Sequence, residues 1–175
     1  MATATKDAST TKGLQRQLSE ENTPESPVVR ALRQQVANAV LLYLNYKHYH
    51  WQTQGPHFRD LHKLFDGFAD EVLESLDPLA ERVRMIGQNP PAHPLEAVKL
   101  ASVAPAVPHT SMRDILAEAN RNALVVIRDM RDAAKLADEH DDPGSVDLFS
   151  KFVQVHEKHE WWLRDMLHDG DGLSS

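Results

Sequence analysis

Six side chains in one stretch have the chemistry to hold a metal. His62, Asp66, Asp70, Glu74, Asp77 and Glu81 recur at helical steps, and at roughly 100° per residue they share an arc of about 120°. Imidazole and carboxylate dominate that arc, where Lys63 is the single base between His62 and Glu81, and they suit iron or zinc; a ladder of ion pairs would mix signs more evenly. The competing reading is a solvated polar face. His62 and Asp66 stand one turn apart, as do Asp77 and Glu81, so each pair can reach a single ion. From His62 to Glu81 the chain advances 19 residues, about 28 Å of straight helix, too far for both pairs to share an ion within one chain. Either they serve separate sites, or two antiparallel copies of this helix build one site around a twofold axis.

The elements that must position these pairs are helices. The 175 residues suffice for one domain with its own core. The absence of cysteine excludes disulfides, thiolate metal sites and thiol nucleophiles, and points to the cytoplasm. No apolar run is long enough to cross a bilayer or to act as an export signal. Residues 1–26 are polar and read as a flexible tail. Val29, Leu32, Val36, Val40, Tyr43 and His50 mark a first helix from Val28 to about Thr53, closed by Gly55-Pro56. Leu41 and Leu42 lie off that stripe and predict a second buried side. A second helix runs from about His57 to Ile86, with a kink expected at Pro78. A proline-rich connection with a short helical turn over Leu95–Ala101 leads to a third helix, capped by Ser111 and lasting to about His140. Asp141-Asp142-Pro143-Gly144 reads as a turn before a fourth helix from about Ser145 to His168. The predicted fold is an all-α four-helix bundle over residues 27–169, followed by a short tail, 170–175. A long second connection carrying a small extra helix is a feature of ferritin-like topology.

His50-Trp51, His62 twelve positions after His50, Asp66 four later, Asp77 eleven later and Glu81 four later, with Ala80-Glu81-Arg82 around the last, closely resemble the Dps miniferritins. The likeness spans roughly residues 28–168. It implies a hollow homo-dodecamer built from twofold dimers, with a ferroxidase centre at each dimer interface. There His50, His62 and Asp66 of one chain would meet Asp77 and Glu81 of the other. Iron would be oxidised there from Fe2+ to Fe3+ by hydrogen peroxide, or by oxygen, and stored inside; zinc fits the same ligands. Trp51 is implied as electron donor or radical trap, beside a plain role in interface packing. Classical di-iron ferritins rest on Glu-x-x-His motifs, and none of the ten histidines has Glu three residues before it.

Asp142 and Asp147 resemble the aspartates of the family's threefold iron-admitting pore, although an acid near a helix N-terminus is favourable in any protein. Lys151, one turn further, interrupts a third acidic ring. Asp70 and Glu74 are candidates for ferric nucleation inside the shell, and Lys63 and Gly67 stand where many relatives carry acids. His156 and His159, three apart on the fourth helix, read as core histidines or as extra metal ligands. His57, His93, His109, His140 and His168 fall at loops or helix ends, where solvent or capping roles suffice. Some relatives coat DNA through basic tails, which makes a nucleoid-structuring protein the second reading. The mixed charges of the tail and a net charge of −7 oppose DNA binding here.

Overall fold

The computed structural model of the chain describes residues 25–108 and 111–168, and every regular element among them is helical. Helix α1 spans Pro27–Gln52, α2 Phe58–Met85, α3 Pro94–Leu100, α4 Met112–Glu139 and α5 Pro143–Met166. The starts follow local capping chemistry. Ser26 Oγ accepts from Val29 N at 3.2 Å, with Pro27 in the first turn, where its missing amide costs nothing. Ser111 Oγ accepts from Asp114 N, as the Ser-x-x-Asp spacing predicts. Gly55 takes φ 81° in the five-residue link between α1 and α2, a conformation that suits glycine.

Two boundaries differ from the sequence reading. The fourth long helix begins at Pro143, with Asp142 as its cap, so Pro143 and Gly144 are helical and do not form a turn before Ser145. An Asp followed by Pro meets the preferences of the cap and of the first helical position at once. Pro78 lies inside one continuous α2. Glu25 and Ser26, assigned to the tail, are engaged: Glu25 pairs with Arg33 at 2.8 Å and Ser26 caps α1. The rest of that tail, His109 and the C-terminal tail lie outside the described residues.

Helix α1 packs chiefly on α2, and α4 on α5, each pair joined by a short link; α1 also meets α4 and α3. Leu32, Leu42, Tyr46, Tyr49, Phe65, Phe68, Ile115, Phe149 and Leu163 form the centre. Leu41 and Leu42 are both buried, so the second apolar side of α1 is used within the fold. Two buried asparagines of α1 then dock the long crossover. Asn38 Oδ1 accepts from Ser102 N at 2.9 Å, and Asn45 both donates to Ala104 O and accepts from Ala106 N at 2.8 Å. These side chains stand in for the missing ladder partners of an irregular backbone that must cross the bundle. No helix among the described residues is long and apolar enough to cross a membrane.

Candidate metal centre

The C-terminal turn of α1 and the second turn of α2 meet through a reciprocal clasp. His50 Nδ1 donates to His62 O at 2.7 Å, and His62 Nδ1 donates to His50 O at 2.9 Å. A carbonyl only accepts, so each Nδ1 bears a proton, and in the neutral imidazole the lone pair is on Nε2. A backbone carbonyl on the far nitrogen is the arrangement that orients imidazoles as metal ligands. His50 O is one of the last carbonyls of α1 and has no helical partner of its own. Thr53 Oγ1 donates to it as well, at 2.9 Å, which ties the link to the site. The two rings stack at 3.5 Å between centroids and 23° between planes, and Phe58 stacks on the outer side of His62 at 5.0 Å.

Asp66 lies beside this clasp, 3.8 Å from His50 Nδ1, and its carboxylate accepts from Lys47 Nζ at 2.5 Å. That hydrogen bond holds the Asp66 carboxyl below the usual carboxylate range and raises the Lys47 ammonium above its own. Asp70, Glu74, Asp77 and Glu81 are exposed along the same face of α2, and so is Trp51, at 68%. Among the described residues of a single chain, no three histidine or carboxylate side chains gather as a ligand set. His50 and His62 are in direct contact and Asp66 approaches His50, but the three do not converge as a ligand set within the chain, and Asp77 and Glu81 lie far along α2.

The ferritin-like domain family matches residues 29–173, nearly all of the bundle. Among solved structures, Dps from Thermosynechococcus elongatus is 40% identical, with a TM-score of 0.81 over 95% of this chain and 99% of that one. The chain is a Dps-family miniferritin. DNA protection during starvation protein 1 of Deinococcus radiodurans is 32% identical over 145 residues, which is 81% of this chain and 69% of that protein. The Dps protein of Vibrio cholerae, described as a member of a broad superfamily of ferritin-like diiron-carboxylate proteins, is 27% identical, with a TM-score of 0.76 over 81% of this chain and 89% of that one.

At the far end of α2 the miniferritin uses Asp142 structurally. Its carboxylate accepts from Ser145 N at 3.0 Å and from Ser145 Oγ at 2.7 Å, and pairs with the Arg82 guanidinium. Arg82 also donates to Ser145 Oγ at 3.1 Å and lies flat against Gly144, where an added Cβ would come within 2.9 Å of it. Asp147 is exposed on the next turn of α5, and the Lys151 ammonium lies 5.1 Å from the Phe152 ring. Asp142→Ala is expected to destabilise the miniferritin by about 1–2 kcal/mol through loss of the cap. Asp142→Asn, which can still cap, should recover most of it; denaturant midpoints at matched protein concentration test both.

His156 and His159 are core residues of α5. His159 Nε2 donates to Glu71 Oε2 at 3.0 Å, and Lys158 Nζ donates to the other Glu71 oxygen at 2.7 Å. Sequence reasoning missed Glu71 because it sits about 180° around α2 from His62, on the side facing the core. An acid on an otherwise apolar face was the available signal. Burial pushes His156 down to about 3 and His159 to about 4, the latter against the pull of Glu71. An unfolded histidine titrates near 6.5, so below that pH the unfolded chain takes up protons that the folded chain refuses. Stability of the metal-free protein should therefore be full above about pH 6.5 and fall toward pH 4, by up to ~1.4 kcal/mol per pH unit for each histidine. Denaturation midpoints across that range should show the slope, and His156→Leu should flatten it by one proton.

Proposed function

We propose that the chain binds ferrous iron, oxidises it at centres shared between twofold-related subunits, and stores ferric iron inside a dodecameric shell. One observation carries this reading: the reciprocal clasp that turns two imidazoles into lone-pair donors beside a carboxylate. His50, His62 and Asp66 form one half-site; Asp77 and Glu81 of a twofold-related copy supply the other. Two rings stacked 3.5 Å apart and inclined by 23° cannot both aim an in-plane lone pair at one ion about 2.1 Å away. The imidazoles therefore serve two ions, compatible with the ~3.5–4 Å spacing of two-metal sites.

Iron is the substrate, and two ions at one centre match the electron count of peroxide. Two Fe2+ give one electron each, the O–O bond breaks, and two Fe3+ and two hydroxides result, so no one-electron oxygen fragment is released. Carboxylates favour the harder ferric product, while the imidazoles hold the ferrous reactant. Lys47 occupies Asp66 in the metal-free chain and must yield to the arriving dication. Zinc, which suits the same donors, would block the centre without turning over. Trp51, next to His50, supplies an electron when only one iron is bound. Asp147 is the available carboxylate for the threefold pore, since Asp142 is committed to Arg82 and the cap, and Asp70 and Glu74 are the acids placed for nucleation. Stopped-flow oxidation of Fe2+ by the intact shell tests the reading: peroxide should outpace oxygen and two irons should be consumed per peroxide. Oxidation no faster than in buffer would overturn it.

The names of the relatives favour a second reading, protection of DNA. We place that protection in removing iron and peroxide together, with direct DNA binding disfavoured by the net charge of −7. Salt-sensitive retardation of DNA by the purified shell in a gel shift would reverse this.

A further inference from the structure

Seven buried side-chain polar atoms among the described residues have no hydrogen-bond partner, and three of them cluster in the bundle interior: Tyr46 Oη, His156 Nδ1 and His159 Nδ1. They belong to neighbouring rings. Tyr46 and His159 lie 5.7 Å apart between centroids, and His156 and His159 lie 5.8 Å apart. The other four are scattered, whereas these three sit on adjacent rings, where one shared partner could satisfy them together. The state of His159 is fixed: its Nε2 proton is given to Glu71, so the buried Nδ1 holds a lone pair. A carboxylate on the far nitrogen is what orients imidazoles bound to a metal.

The separations agree with a common ion. Two imidazoles bound through nitrogen to one ion at ~2.1 Å, at a tetrahedral angle, have centroids about 5 Å apart. The observed rings are 5.8 Å apart at 84°, within about an ångström of that separation. We propose that the bundle interior holds a second, intrachain site for a divalent transition-metal ion, with His156 and His159 as Nδ1 ligands, Tyr46 as third oxygen donor and Glu71 orienting His159. Glu71, which also holds Lys158 at 2.7 Å, sets a carboxylate one imidazole away from the ion. Bound there, the ion would tie α1 to α5. The site shares no residue with the interface centre and does not depend on iron oxidation there.

Zinc is the probe. Intact shells carrying His62→Ala and Asp66→Ala, which remove two of the five interface ligands, are stripped with chelator, loaded with Zn2+ and desalted, and compared with the same shells carrying His159→Leu as well. Bound metal is counted by mass spectrometry, and crystals of the same shells give an anomalous map at the zinc edge. The expected result is a peak within about 2.3 Å of both Nδ1 atoms and loss of one zinc per chain when His159→Leu is added. Zinc content unchanged by His159→Leu, or an ordered water between the two histidines with no anomalous signal, overturns the proposal. Should the His159→Leu chain fail to assemble, the map decides alone, since the absence of a peak there is sufficient to reject the site.

Discussion

In shells assembled from a chain carrying His62→Ala and Asp66→Ala, peroxide-driven oxidation of Fe2+ should fall to the rate in buffer, a loss of at least ~100-fold. Changes one shell out from a metal typically cost 10–100-fold, and here two donors go together. The loss has a second component, because removing Asp66 leaves the Lys47 ammonium without its partner at 2.5 Å, a bare positive charge where a dication must arrive. The fold should tolerate the change. His50 O keeps the Thr53 hydroxyl when the His62 imidazole is gone, so no orphaned carbonyl results, and a single neutral hydrogen bond is worth only about 0.5–1.5 kcal/mol. Both positions are also partly exposed, so truncation opens no cavity in the core. Stopped-flow kinetics with sedimentation of the same preparation separates the cases: an intact shell with unaltered rates would sink the assignment of these two residues.

What the sequence could show of this site is set by periodicity. Five helices, the extra one in the crossover and the two residue pairs on one face of α2 were legible because side chains one turn apart on a helix are neighbours whatever the rest of the chain does. The clasp was not, because it depends on how the link from Thr53 to His57 folds the end of α1 back on α2, and no spacing encodes a ring nitrogen meeting a carbonyl across a loop. Glu71 escaped for the opposite reason: its partner His159 lies 88 residues away, and its position on the wheel reads as core. Asp142 was visible but ambiguous. An acid before a helix can cap it or bind a cation, and only the Arg82 guanidinium and the Ser145 amide, both on its carboxylate, separate the two.

The separation of the half-sites along α2 makes the intersubunit reading testable without a structure of the assembly. Take one chain with His62→Ala and Asp66→Ala and another with Asp77→Ala and Glu81→Ala; shells of either alone should be inactive. If each centre draws one pair from each of two twofold-related chains, a dimer of the two kinds contains one centre lacking all four side chains and one that is wholly intact. Random mixing places half of the chains in mixed dimers, so shells dissociated and reassembled from an equal mixture should regain about one quarter of wild-type peroxide-dependent oxidation. Centres confined to single chains would regain nothing, because every chain in the mixture is defective. Mixing without dissociation is the control, and should stay inactive as long as dimers do not exchange. The Arg82 clasp on Asp142 and Ser145 anchors the segment of α2 next to Glu81, and the Thr53 bond anchors the segment next to His62. Each surviving half-site is therefore held by its own chain, independently of the damaged one, and complementation should approach that quarter.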